Sequence, residues 1–366
     1  MRIAIINSIR AYGGGEKWVL RAAHCLSQRG VTVRVLGDPD SELGRRCQSS
    51  RVPFAAVRLN RCSLFSGAAA LGQALRTDLP NAVICCNERV ARLAALAAAL
   101  PGSGAGRLPI IYRNGLEGSF KNKPLNRLLV APRVARFVVN AEATRAELQR
   151  FGWIPHQKLR LIYNGVDPAP VEQADPAGLR EELGAGAADV VALSAARLVP
   201  EKGHALLLAA LNRIEAARRP VLWIAGEGPE QATLAAQVQQ LGLARWVRLL
   251  GFRSDIPRLL RAADLLCHPS RREGAPNIVL EAMVAGLPVV GLAASGTVEL
   301  VQHGVTGLLS PVEDVEGLAR NLGQLVQEAC LRERLGKAGR QRALTEFTEA
   351  RSTDRWVELL AEIGKE

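Results

Sequence analysis

Aromatic side chains are scarce in this 366-residue chain, with Phe, Trp and Tyr together at 4%. Alanine and leucine must fill the interior instead. A hydrophobic content of 48% over this length is enough for two or three domains of ordinary size. The seven cysteines form no Cys-x-x-Cys pair and are odd in number, which argues against a disulfide framework and against zinc and fits a reducing compartment. Long apolar runs are missing too. The nearest candidate, Leu93 to Leu100, is too short to cross a bilayer. The opening MRIAIINSIRAYGGGE reads as a strand and a glycine turn with no small-residue cleavage site, so no signal peptide is expected. The five histidines lack metal-ligand spacing, and Asp38-Pro-Asp40 reads as a turn, so neither a metal nor a cofactor is expected. Nucleic acid is excluded as a partner because the basic residues are not interleaved with aromatics.

Acidic residues are sparse in one half. Residues 1–170 hold 25 Lys and Arg against 10 Asp and Glu; the remainder holds 22 against 25. Such asymmetry points the first half toward an anionic partner, although an arginine-rich surface alone would give the same count.

What the chain does have is alternation. Short apolar runs (Arg2–Asn7, Val31–Leu36, Asn81–Cys86, Leu108–Tyr112, Arg136–Val139) are separated by segments with helical spacing such as Glu16–Gln28, Arg89–Leu100 and Glu142–Phe151. The second half repeats the scheme at Val190–Ser194, Val221–Ala225, Val247–Leu250, Leu265–His268 and Pro288–Gly291. Strands alternating with helices of this length predict α/β architecture with parallel sheets. The Pro- and Asp-rich stretch Asp167–Pro176 is the expected linker between two doubly wound domains, and Phe347–Ile363 is expected to form an amphipathic tail helix. Ligands of open α/β sheets bind beyond the carboxyl ends of the strands, so chemistry is expected in those loops.

Three loops carry it. Gly13-Gly14-Gly15-Glu16 opens a helix after the first strand, where glycines permit close approach and free amides attract anions. Ser194-Ala-Ala-Arg197-Leu-Val-Pro-Glu201-Lys202-Gly203 places two cations after a strand, an arrangement suited to a diphosphate or, more plainly, to pairing with Glu201. Ser270-Arg-Arg-Glu273-Gly274-Ala-Pro-Asn277-Ile278-Val-Leu-Glu281 joins a strand to a helix. It flanks a predicted phosphate site at the helix start with two carboxylates that can accept from sugar hydroxyls. Helix-terminus charge complementarity would account for Glu281, and a bridge to Arg271 or Arg272 for Glu273. His268 ends the preceding strand, as a cleft residue or as a satisfied buried imidazole.

The spacing Glu273-x7-Glu281, together with Arg197…Glu201-Lys202-Gly203 and Gly286-Leu-Pro-Val-Val290, resembles the retaining GT-B glycosyltransferases of family GT4. Gly13-Gly-Gly-Glu16, Ile162-Tyr-Asn-Gly-Val-Asp167, Gly226-Glu-Gly-Pro229 and Glu299…His303-Gly…Gly307-Leu-Leu extend the likeness over the whole chain, more loosely in the first half. The resemblance implies two Rossmann-like domains with an interdomain cleft. An acceptor-binding domain would span 1–168, rejoined by the returning helix 347–366, and a nucleotide-sugar-binding domain would span 169–346. It further implies that Arg197 and Lys202 neutralise the donor diphosphate, Glu281 binds the ribose and Glu273 holds donor-sugar hydroxyls. Gly274, Asn277 and Ile278 would touch the distal phosphate, and Gly14 and Gly15 would approach the donor. Family members often carry a His after the strand that here reads Ile111-Tyr112-Arg113-Asn114-Gly115, so either Arg113 and Asn114 take over its sugar contacts or the donor geometry differs in this subgroup. Likewise Ala141, beside Asn140 and Glu142, stands where Ser is common.

The expected partners are a nucleotide diphosphate sugar, with UDP favoured, and a glycan or lipid-linked acceptor such as lipopolysaccharide core, a polyprenyl-linked glycan or a glycolipid. An anionic membrane surface would be met by Arg45, Arg46, Arg51, Arg58, Arg61, Arg113, Lys121, Lys123, Arg127 and Arg133. The expected location is cytoplasmic, peripheral on the inner membrane face. A sugar-nucleotide 2-epimerase and a non-catalytic sugar-nucleotide binder share the same architecture and stay open.

Overall fold

The computed structural model describes residues 1–10, 13–60, 62–100 and 108–365. Arg61, one of the basic candidates, lies outside them. The chain forms two compact units: residues 1–164 with 349–366, and residues 165–348.

The first unit is built on seven parallel strands: β1 (Arg2–Asn7), β2 (Thr32–Gly37), β3 (Phe54–Ala56), β4 (Ala82–Cys85), β5 (Ile110–Asn114), β6 (Val134–Val139) and β7 (Leu159–Leu161). Their order is β3-β2-β1-β4-β5-β6-β7, so the winding reverses between β1 and β4. Central strands are apolar on successive residues because helices cover both faces. One face packs Ile6, Val83 and Tyr112 against the helices Leu64–Asp78 and Glu88–Ala99. The other packs Ile5, Ile84 and Ile111 against the helix Gly14–Gln28 and the tail helix Glu349–Ile363. The tail is held by Trp356 against Trp18 at 5.3 Å between ring centroids, and by Glu362 accepting from both Arg136 and Arg160.

The second unit has six parallel strands: β8 (Val191–Ala195), β9 (Val221–Ala225), β10 (Val247–Gly251), β11 (Leu265–His268), β12 (Val289–Leu292) and β13 (Gly307–Ser310). Their order, β10-β9-β8-β11-β12-β13, reverses between β8 and β11. Both central strands are buried end to end, save Ala195. Asp167–Pro176 is not a free linker. It folds within this unit, where Val171 is buried and Glu172 pairs with Arg340.

β3, β7 and β13 were not expected. Each is three or four residues long and sits at a sheet edge, too short for a periodic signal. No helix of the described residues is long and apolar enough to cross a membrane.

Candidate functional site

The reversal between β8 and β11 sets two loops side by side in the second unit. The first runs from Ala196 to Gly203 through a single 3-10 turn, Pro200–Lys202. Gly203 has φ 71°, and a Cβ there would sit 2.0 Å from the carbonyl oxygen of Pro269. Glycine is thus demanded twice, by conformation and by space. The second loop is pinned to the first by Arg271, whose amide donates to Glu201 O at 2.8 Å and whose Nη1 donates to Pro200 O at 3.0 Å. Arg271 also pairs with Glu313. Neither Arg271 nor Arg272 therefore supplies the partner of Glu273.

That partner is Lys202, whose Nζ donates to Glu273 Oε1 at 2.5 Å. His268, the last residue of β11, brings Nε2 to 3.3 Å from the same oxygen, without the alignment of a hydrogen bond. Burial pushes the Glu273 carboxyl upward, but the His268 ring and the Lys202 ammonium outweigh it and hold the group at about 2. Oε2 accepts from no protein group among the described residues and is not sealed from solvent. Glu273 is thus a buried, ionised carboxylate with one oxygen anchored and one available.

Behind it lies His204, the first residue of the helix His204–Arg213. It is fully buried, and neither ring nitrogen has a hydrogen-bond partner. Burial, with His268 and Lys202 close by, lowers its pKa to about 4, so the ring is neutral at physiological pH.

The 270s loop then enters the helix Asn277–Val284, which starts at Pro276 without a side-chain cap. The amides of Gly274 and Ile278 find no acceptor among the described residues, and the helix dipole favours an anion beside them. Gly296 seals the loop from behind: a Cβ there would lie 1.7 Å from Gly274 O. Asn277 and Glu281 are half-buried on this helix, Glu281 one turn in. Arg197 is exposed and makes no ion pair among the described residues. Glu273, Gly274, Asn277, Ile278 and Glu281 thus share one loop and helix, Lys202 joins them from the neighbouring loop through Glu273, and Arg197 lies on that same neighbouring loop.

In the first unit, Gly14 and Gly15 open the helix Gly14–Gln28 and are exposed, and the space beside Gly15 is open. The Glu16 carboxylate is spent on structure, accepting from Asn7 Nδ2 at 2.9 Å and from the amide of Gly13 at 3.0 Å. Arg113 and Asn114, neighbours on β5, face opposite sides of the sheet. Arg113 lies over the Trp18 ring at 3.9 Å and donates to Asn164 Oδ1 at 3.1 Å. Burial lowers its pKa to about 10, which leaves it charged. Asn114 is fully buried, accepts from Ser119 and leaves Nδ2 without a partner.

Two doubly wound parallel sheets, one carrying an anion-ready loop cluster at its reversal, define a protein of the GT-B class. Residues 12–170 match Glycosyltransferase Family 4 and residues 178–342 match Glycosyl transferases group 1. The chain belongs to this family and is a glycosyltransferase. It is 26% identical to the lipopolysaccharide core biosynthesis glycosyltransferase LpsE of Rhizobium meliloti (strain 1021), over 95% of this chain and 96% of that protein. LpsD of the same strain is also 26% identical, over 95% and 94% respectively. Among solved structures, Anabaena Alr3699/HepE in complex with UDP superposes with a TM-score of 0.87 at 24% identity, covering 99% of this chain and 100% of that one.

Proposed function

We propose that the chain moves a sugar, with retention of anomeric configuration, from a nucleotide diphosphate sugar to a glycan or lipid-linked acceptor of the lipopolysaccharide core kind. The observation that carries the reading is Glu273, a carboxylate buried and ionised with one oxygen left for a ligand, beside a cation and an uncapped helix start. UDP is favoured because the solved structure of similar fold is a UDP complex. The names of LpsE and LpsD support the acceptor class.

In this reading Lys202 and Arg197 take the diphosphate, with the amides of Gly274 and Ile278 and the Asn277 turn on its distal end. Glu281 accepts from the ribose hydroxyls and Glu273 Oε2 from the donor sugar. Leaving-group charge grows as the sugar–phosphate bond breaks, so the two cations act more strongly in the transition state than in the ground state. The departing phosphate is the base for the acceptor hydroxyl, which needs no protein nucleophile. A membrane surface is the proposed meeting place. Exposed Leu125 and Leu128 alternate with exposed Lys121, Lys123 and Arg127, a segment able to enter an anionic interface.

The test is a thermal-shift panel of UDP-, GDP-, ADP- and CMP-sugars, followed by transfer to lipopolysaccharide core acceptors. One nucleotide class should stabilise the protein, and Glu273→Gln should lower transfer about 100-fold or more. Release of a free 2-epimer without acceptor, or stabilisation by none of the sugars, would overturn the reading.

A further inference from the structure

His268 is buried to 3% exposure, yet Nε2 has no hydrogen-bond partner. A buried imidazole nitrogen left unpaired is unfavourable and calls for an explanation. The explanation lies in what Lys202 must do. In the structure its ammonium is bound to Glu273 Oε1 at 2.5 Å. A diphosphate carries more negative charge than the carboxylate, and in the reading argued here it draws the ammonium off that oxygen. Glu273 would then be a buried carboxylate without its cation, the situation that makes broken buried ion pairs so unfavourable.

We propose that His268 is a positioning residue that receives Glu273 Oε1 when Lys202 leaves it for the diphosphate. The ring nitrogen already stands 3.3 Å from that oxygen, so a shift of a few tenths of an ångström turns proximity into a hydrogen bond. β11 supplies rigidity, since His268 pairs in register with Gly291 of β12 and cannot drift along the strand. Gly291 itself has no room for a side chain, its Cβ position lying 2.2 Å from His268 O. The neutral His204 ring adds no second positive charge that would compete with Lys202 for the carboxylate. Oε2 stays available throughout, so the carboxylate keeps its sugar-facing oxygen while its anchor changes hands.

The inference rests on the reading of Lys202 as a diphosphate ligand, and a double-mutant cycle on UDP affinity separates the two. Calorimetric titration with UDP, which lacks the transferable sugar assigned to Glu273, is carried out on the parent, H268L, K202M and H268L/K202M. The handover predicts that H268L weakens UDP binding about tenfold or more in the parent background and less than about twofold when Lys202 is already absent. Because the leucine variant removes a buried polar group, H268Q provides a second measure: its side-chain amide can donate to the same oxygen and should restore most of the affinity. A purely structural role for His268 gives the same loss in both backgrounds, and that result overturns the handover while leaving the diphosphate site standing. Retained affinity in H268L overturns it as well. A parent that binds no UDP removes the diphosphate reading and the handover together.

Discussion

Replacing Lys202 by Met keeps the stem of the side chain and deletes its charge. Glu273 then faces burial with His268 as its remaining partner. In the parent, the carboxyl is held at about 2 against an ordinary 4.5, a difference equivalent to about 3 kcal/mol in favour of the ionised form. Breaking a buried pair by removing one partner typically loses about 3–5 kcal/mol. Here Lys202 is 19% exposed and His268 remains, so we expect a loss of about 2–3 kcal/mol at pH 7. The sign with pH follows from the depressed value. The stabilisation is complete above the unfolded carboxyl range near 4.5 and is lost as pH falls through about 2. In the variant the carboxyl titrates nearer to 4.5 or above it, so it takes its proton earlier. The gap in stability between parent and variant should therefore be widest at neutral pH and close progressively in acid. Chemical denaturation of both proteins between pH 7 and pH 3, at fixed ionic strength, measures it. UDP affinity should fall about 10–100-fold in parallel, the value of one charge-assisted hydrogen bond to phosphate. A penalty of the same size at pH 7 and pH 3, or a variant with parental stability and parental UDP affinity, would refute the reasoning.

Gly203→Ala forces a Cβ to within 2.0 Å of Pro269 O at φ 71°, and we expect a loss of more than about 2 kcal/mol with a lower melting temperature; an unchanged melt would show that the two loops can part. His204→Leu removes a buried ring with two unpartnered nitrogens and should leave stability at pH 7 unchanged or raised. The parent should lose stability as pH falls from about 6.5 toward 4, because the unfolded chain takes up a proton that buried His204 refuses; the leucine variant should lose less over that window in matched urea titrations. Sedimentation with anionic vesicles should fall steeply with salt and weaken on joint substitution of Lys121, Lys123 and Arg127 by Ser; salt-insensitive or absent binding would defeat the membrane proposal alone.

Much of this was readable in advance because buried parallel strands are written as unbroken apolar runs. Val221–Ala225 and Leu265–His268 appear in the structure with the bounds their sequence predicts. The reversal loops were equally legible, since Lys202 and Glu273 are charged residues stranded between apolar segments. Their mutual ion pair was not. It depends on two loops 71 residues apart being brought together by strand order, and order leaves no local trace. The same blindness hid the orphaned His204, which reads as an ordinary first helical residue after a glycine. Arg113 and Asn114 stand side by side in sequence, and only the pleat of β5 shows that they occupy different faces.

The tail helix has a consequence for biosynthesis. Residues 349–363 come after the whole second unit in sequence but complete the wall around Trp18, Ile5 and Ile84 in the first. A nascent polypeptide therefore carries that apolar wall uncovered until residues 349–363 have followed the whole of the second unit, whereas residues 165–348 emerge with their own core complete. Premature termination before codon 349 would leave an aggregation-prone stub.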